Sequence, residues 1–127
     1  MLNYNDYMIK NKEDYKKYIL LDAWANSKNN KGLIDIIKGV FFPDYTWNFI
    51  KLLRKAEYHK NQNGVLNKIS YIYYYYKFRR LSLKLGFSIH LNVFGPGISI
   101  PHYGTIVVNA NAQIGKNCRI HASVNIG

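Results

Sequence analysis

The sequence predicts an α+β chain: an N-terminal α-helical domain over residues 1–86, followed by an incomplete parallel β-helix over residues 87–127. Three observations carry this. Before Gly86 the apolar residues recur at three- and four-residue spacing, the period of a helix face. After Gly86 a period of six replaces it: Val108, Ile114, Ile120 and Ile126 form one series, and Ile106, Ala112, Cys118 and Val124 another. Between these aliphatics lie turn formers, among them Pro96, Pro101, Asn109, Asn117 and Asn125, with Gly115 and Gly127 directly after two of the isoleucines. A six-residue period makes each hexad one flat side of a coil, with its repeated aliphatic pointing inward.

Four helices are expected in the first part. "NKEDYKKYILLDAWAN" opens with Asn11 three residues ahead of Asp14, a capping arrangement with acids in the first turn. "GLIDIIKGV" is a second helix. A third starts after "PDYT", capped by Asp44 or Thr46, with Phe49, Leu52, Leu53 and Ala56 on one face. "NQNG" at 61–64 is a turn signal, and a fourth helix then runs through "VLNKISYIYYYYKFRRLSLKL". Ile69, Ile72, Tyr73 and Tyr76 line one side of it, and Gly86 ends it.

The chain has 127 residues, 48% of them hydrophobic, so it buries a core rather than remaining disordered. The polar start lacks the apolar stretch of a secretory signal, and the most apolar run, "ISYIYYYYKF", is too short to cross a bilayer. Cys118 is the single cysteine, which excludes an internal disulfide and a cysteine-based metal site. These features fit a cytoplasmic protein with no membrane span and no metal. The net charge of +11 is unevenly placed: all seven acids lie at or before Glu57, so no Asp or Glu occurs from Tyr58 to Gly127. A surface this basic attracts anions such as nucleotide phosphates, nucleic acid or anionic lipid.

The segment "FSIHLNVFGPGISIPHYGTIVVNANAQIGKNCRIHASVNIG" resembles the serine acetyltransferase family of hexapeptide-repeat acyltransferases, and within it the serine acetyltransferases of capsule and polysaccharide gene clusters. The resemblance covers residues 87–127 well and the preceding helices less specifically. It implies a left-handed coil, an exception to the usual right-handed crossover. It also implies assembly as a homotrimer or a dimer of trimers, with acetyl-CoA as a soluble co-substrate and no permanently bound cofactor. By the same resemblance His102 falls on the general-base histidine, here in "HYGTIVV". A neutral imidazole there takes the proton of an acceptor hydroxyl as its oxygen attacks the thioester. Backbone N–H groups at the coil turns stabilise the oxyanion. Pro101, Tyr103 and His90 are candidates for the acceptor pocket.

Three positions depart from the family pattern, and each removes a carboxylate. The aspartate usual before the histidine is Pro101, the one fifteen positions upstream is Phe87, and the Gly-Glu-Thr after the paired valines is Asn109-Ala110-Asn111. The usual Asp–His dyad therefore has no counterpart at these positions. The second imidazole nitrogen of His102 turns instead to a carbonyl, an Asn, water, or an acid from the helices or another subunit.

Other residues read as structural. Cys118 sits at an inward repeat position as a small hydrophobe, and His121 is an outward corner side chain. The tyrosines of 71–76 pack between helices and against the coil. Arg79, Arg80 and Lys84 form a solvated basic face or a subunit contact. The hexads stop at Gly127 in mid-pattern, so the chain is expected to be truncated, with the acetyl-CoA groove beyond residue 127.

The reading of function is an acetyl-CoA-dependent serine O-acetyltransferase, making O-acetylserine for cysteine biosynthesis. One alternative is a sugar O-acetyltransferase of surface polysaccharide. Another is a catalytically incompetent fragment acting in assembly or binding. A third, a basic module for nucleic acid or a membrane surface, needs a contiguous basic face, whereas the lysines lie scattered over several helices. Small-molecule substrates rather than nucleic acid are the expected partners.

Overall fold

The structure, a computed structural model, describes residues 7–29 and 31–127. It is a mixed helix and sheet chain, with four helices followed by a three-stranded parallel sheet. Helix α1 (Lys12–Ala25) starts where the Asn11 side chain accepts from the Asp14 N–H at 2.9 Å. The Asp14 carboxylate in turn accepts from the Lys10 N–H at 3.0 Å, so two otherwise orphaned donors are satisfied. Helix α2 (Leu33–Phe41) follows. Helix α3 (Tyr45–Lys60) is capped by Asp44, which accepts from the Trp47 N–H at 3.0 Å. Helix α4 (Val65–Leu85) ends at Gly86 with φ of 82°, a left-handed conformation that suits glycine.

Helices α3 and α4 pack along each other, and α1 packs on α3. Phe49, Leu53 and Ala56 of α3 are buried and Leu52 is half-buried, the face expected from spacing. For α4 the expected face is not the buried one. Ile69, Ile72, Tyr73 and Tyr76 are all exposed, while Tyr71 and Tyr75 lie partly buried and Phe78, Ser82 and Leu85 are buried. This helix carries apolar and aromatic groups almost all round, so its period leaves several stripes to choose from. Packing against α3 and the segment after Gly86 selects one of them.

That segment shares a core with the helices. The Phe49 ring lies 5.1 Å from Phe78 and 4.9 Å, edge-on, from Phe87. Aromatic pairs of this kind contribute about 0.5–1.5 kcal/mol each beyond their buried area. The cluster continues through Ile89, Val93, Phe94, Ile98 and Ile100 to Ile106, Val108 and Ile120, crossing residue 86 without a break.

Strands β1 (Phe87–Ser88), β2 (Ile106–Val108) and β3 (Val124–Ile126) pair in parallel in that order. Ile106 pairs with Phe87 on one side and with Val124, three hexads on, on the other. Parallel bridges also join Phe94 to Ile114 and Ser99 to Arg119. The chain thus returns alongside itself on three separate stretches. Successive returns come very close at glycines: a Cβ on Gly95 would lie 2.9 Å from the carbonyl carbon of Gly115. No described helix is long and apolar enough to cross a membrane.

Candidate functional site

The segment carrying His102 is anchored to the helices by a buried ionic cluster. Arg54 of α3 is fully buried, as are Asp22 of α1 and Glu57. All five guanidinium N–H donors are engaged. Nε donates to Asp22 Oδ2 at 2.7 Å, and Nη1 donates to Glu57 Oε2 at 2.9 Å and to the Phe94 carbonyl at 3.0 Å. Nη2 donates to Asp22 Oδ1 at 3.3 Å and to the Gly95 carbonyl at 2.7 Å. The carboxylates reach onward: Asp22 Oδ1 accepts from the N–H groups of Gly97 and Ile98 at 2.8 and 3.0 Å, and Glu57 Oε1 from that of Asn92 at 2.8 Å. The Tyr18 ring covers the cluster, 4.8 Å from the guanidinium carbon. Burial by itself disfavours the guanidinium charge, but Glu57 and Asp22 more than reverse this and raise the Arg54 pKa above its ordinary value. Burial also pushes the Glu57 carboxyl up, an effect that Arg54 and the Asn92 N–H only partly offset.

This cluster fixes residues 92–98 through their backbone, whatever their side chains. The Asn26 side chain adds a bond to the Ile98 carbonyl at 2.8 Å. Residues 101–104 then leave the core. Pro101 is half-buried, and His102 and Tyr103 are exposed, Tyr103 at 76%. The bend closes at Gly104, whose N–H donates to the Leu85 carbonyl at 3.0 Å. Gly104 has φ of 136°, and a Cβ there would lie 2.8 Å from that of Ala122. This close stacking brings His121 beside His102, with ring centroids 6.3 Å apart. Among the described residues the His102 ring makes no hydrogen bond, so its nitrogens are available to a ligand.

Pro101, His102 and Tyr103 are adjacent on this bend, but His90 is not with them. It lines a separate cleft of about 180 Å³ with Tyr71, Tyr75, Arg79 and Ala110. Pro101 borders a cleft of about 230 Å³ that also contains Lys28, Asp44 and Arg119. Asp44 is the acid on this side of the molecule, and it is engaged: it pairs with Lys28 at 2.7 Å and caps α3. Burial tends to raise its pKa, but the bonds from Lys28, Trp47 N–H and Thr46 outweigh that and hold it below the ordinary 3.8. Burial also raises the pKa of the half-buried Cys118 thiol, which makes it a poor nucleophile.

Two features were not found by sequence reasoning. The sequence predicts an outward corner side chain at His121, and its exposure agrees with that, but its position one return of the chain after His102 also places it at the candidate site. The signal was present, since 19 residues separate the two histidines and 19 also separate the paired Phe87 and Ile106. The Arg54 cluster left little trace, because apart from Glu57, three residues on, its partners lie 32, 40 and 41 residues away in sequence.

Comparison with protein-family models, curated proteins and solved structures finds no match to this chain.

Proposed function

We propose that this chain is an acetyl-CoA-dependent O-acetyltransferase, similar to serine acetyltransferases, with His102 as general base. In this reading residues 87–127 are the first coils of a left-handed parallel β-helix, and the chain works as a trimer. The observation that supports it best is the placement of His102: an exposed imidazole without a hydrogen-bond partner among the described residues, on a bend fixed by Gly104 and the Arg54 cluster.

In the proposed reaction an imidazole nitrogen accepts the proton of the acceptor hydroxyl while the oxygen bonds to the thioester carbonyl carbon. The carbon–sulfur bond then breaks, and the imidazolium returns the proton to the departing thiolate. The products are an acetyl ester and free coenzyme A thiol.

The acceptor has two readings. The resemblance favours serine. The distribution of charge favours a neutral sugar hydroxyl, because the ammonium of free serine requires an anionic partner. Pro101, Tyr103, His121 and Arg119 provide none, while Asp22 and Glu57 are bound to Arg54 and Asp44 to Lys28.

Thiol release from acetyl-CoA, followed with serine and with a hexose acceptor, tests the reading. Acetyl transfer is expected, with His102→Gln lowering it by about 10²- to 10⁴-fold. Preferential use of the hexose selects the sugar reading. Absence of release with either acceptor would sink the enzyme reading and leave a role in assembly or binding.

A further inference from the structure

Helix α2 is out of place for a part of the core. It packs against no other helix or strand of the described chain, and every residue from 31 to 42 is exposed. Yet it is the most apolar helix of the four. Leu33, Ile34, Ile36, Ile37, Val40 and Phe41 are each 51–74% exposed, and Phe42 is 81% exposed. At 3.6 residues per turn Leu33, Ile34, Ile36, Ile37, Val40 and Phe41 occupy one arc, and Asp35, Lys38 and Gly39 the other. Asp35, Lys38 and Gly39, with Ile36 at the edge of the apolar arc and Phe42 just after the helix, line a groove of about 470 Å³ facing Trp47, Asn48 and Lys51 of α3, which leaves Leu33, Ile34, Ile37, Val40 and Phe41 outside that groove.

A strongly cationic groove adjoins it. Between α3 and α4 a groove of about 730 Å³ is lined by Lys51, Lys55, Lys77, Arg80 and Lys84, with no carboxylate in its walls. It shares Asn48 and Lys51 with the groove under α2, so the apolar helix and the basic groove are neighbours. None of these five cations belongs to an ion pair among the described residues. They rest on aromatic rings instead, Lys84 at 4.0 Å from the Tyr45 centroid, Lys77 at 5.1 Å from Tyr73 and Arg80 at 5.7 Å from Tyr76. Ring faces hold a cation in place without neutralising its charge, which leaves the groove open to an anion.

We propose that α2 and the α3–α4 groove together form a peripheral docking surface for an anionic lipid bilayer. The apolar arc of α2 enters the boundary between headgroups and acyl chains, and the groove cations meet headgroup phosphates. A short amphipathic helix or a basic patch alone gives weak, reversible attachment, and the two together give stable attachment. Charge decides against the other occupants. A second copy would bring another +11 chain against the same cations, and a nucleic acid would leave six apolar side chains facing water. This surface is independent of His102 and of the acetyltransferase reading.

Vesicle co-sedimentation with the full chain tests this, comparing phosphatidylcholine vesicles with vesicles containing about one third phosphatidylserine. Binding is expected to the anionic vesicles alone and to weaken with added salt. Lys77→Gln with Arg80→Gln is expected to lower the partition coefficient about thirtyfold. Ile34→Ser with Ile37→Ser is expected to lower it at least ~tenfold. Far-UV circular dichroism reports that both variants remain folded, as expected for side chains outside the core. Equal binding to neutral vesicles, no binding to either kind, or undiminished binding by the folded α2 variant would each overturn the proposal. So would a lipid-free dimer that the α2 variant abolishes in a protein that ignores vesicles, or RNA binding lost in the same variants without vesicle binding.

Discussion

Replacing Arg54 by Met tests whether the buried cluster holds the two parts of the chain together. The substitution keeps most of the side-chain volume and removes five donors, leaving two buried carboxylates without their cation and the Phe94 and Gly95 carbonyls without a donor. Breaking a buried pair in this way costs about 3–5 kcal/mol, a large part of the ~5–15 kcal/mol that stabilises an ordinary domain. Equilibrium urea unfolding, followed by circular dichroism, reads the loss as a lower midpoint. The pH dependence identifies its origin. Without Arg54 the buried Glu57 carboxyl loses the cation that offsets its burial and binds a proton more tightly folded than unfolded, so the folded state carries more protons and stability falls as pH rises through and above the ordinary carboxylate range. Glu57 already shows a raised pKa beside Arg54, so the wild type should slope the same way, but less steeply. Adding Asp22→Asn and Glu57→Gln to Arg54→Met removes the stranded charges and should recover much of the loss and flatten the profile. A loss under about 1 kcal/mol with an unchanged pH profile would refute the reasoning, since no buried pair behaves so weakly when one partner is removed.

Two further changes probe the bend and the cap. Gly104→Ala should cost about 1–3 kcal/mol in urea unfolding, because it strains a backbone at φ of 136° and crowds Ala122. Adding Ala122→Gly should restore only the part due to crowding, and full restoration would show that the backbone conformation carries no strain. Asp44→Asn keeps an N-cap acceptor for α3 but loses the charge paired with Lys28. Since the folded pKa of Asp44 lies below 3.8, its charge stabilises above that value, and the benefit is lost as pH falls through the folded pKa. The stability difference between wild type and variant should therefore be present near pH 6, under about 1 kcal/mol for so exposed a pair, and shrink as pH falls below 3.8 and through the folded pKa. A difference that persists in acid would locate the effect in the cap rather than the charge.

The ends of the helices were legible because they are local. Asn11, Asp44 and Gly86 act on backbone groups within four residues, so their chemistry is written in adjacent letters. The six-residue period was legible for a similar reason, since it repeats one side-chain environment at fixed intervals, and β2 and β3 do pair three hexads apart. The buried stripe of α4 was not legible. With aromatic or aliphatic groups at Ile69, Tyr71, Ile72 and Tyr73 through Tyr76, several stripes satisfy the same period, and only the partner surface distinguishes them. Arg54 was hidden for the opposite reason: its period within α3 marks it as one polar residue among apolar ones. Its burial becomes sensible only when Asp22 and two carbonyls arrive from distant parts of the chain to join Glu57, one turn along the same helix. The candidate site was half legible. His102 stands out by its motif, whereas His121 joins it through a stacking that involves Gly104 and Ala122.

The same long-range contacts constrain the chemistry proposed for His102. The sequence has no acid after Glu57, so a carboxylate partner for the imidazole within this chain has to come from α1, α3 or the segments before them. The fold engages those nearest to the segment after Gly86 elsewhere: Asp22 and Glu57 hold Arg54 and the 92–98 backbone, and Asp44 holds Lys28 and the start of α3. Freeing Asp22 or Glu57 would break the anchor that positions the bend, so these two acids serve His102 through backbone geometry rather than through charge. In the proposed reaction the imidazole therefore works without a carboxylate partner from these acids, beside a second imidazole. Such a site suits an acceptor hydroxyl that carries no positive charge of its own, which is the physical ground for preferring a sugar to a zwitterionic amino acid.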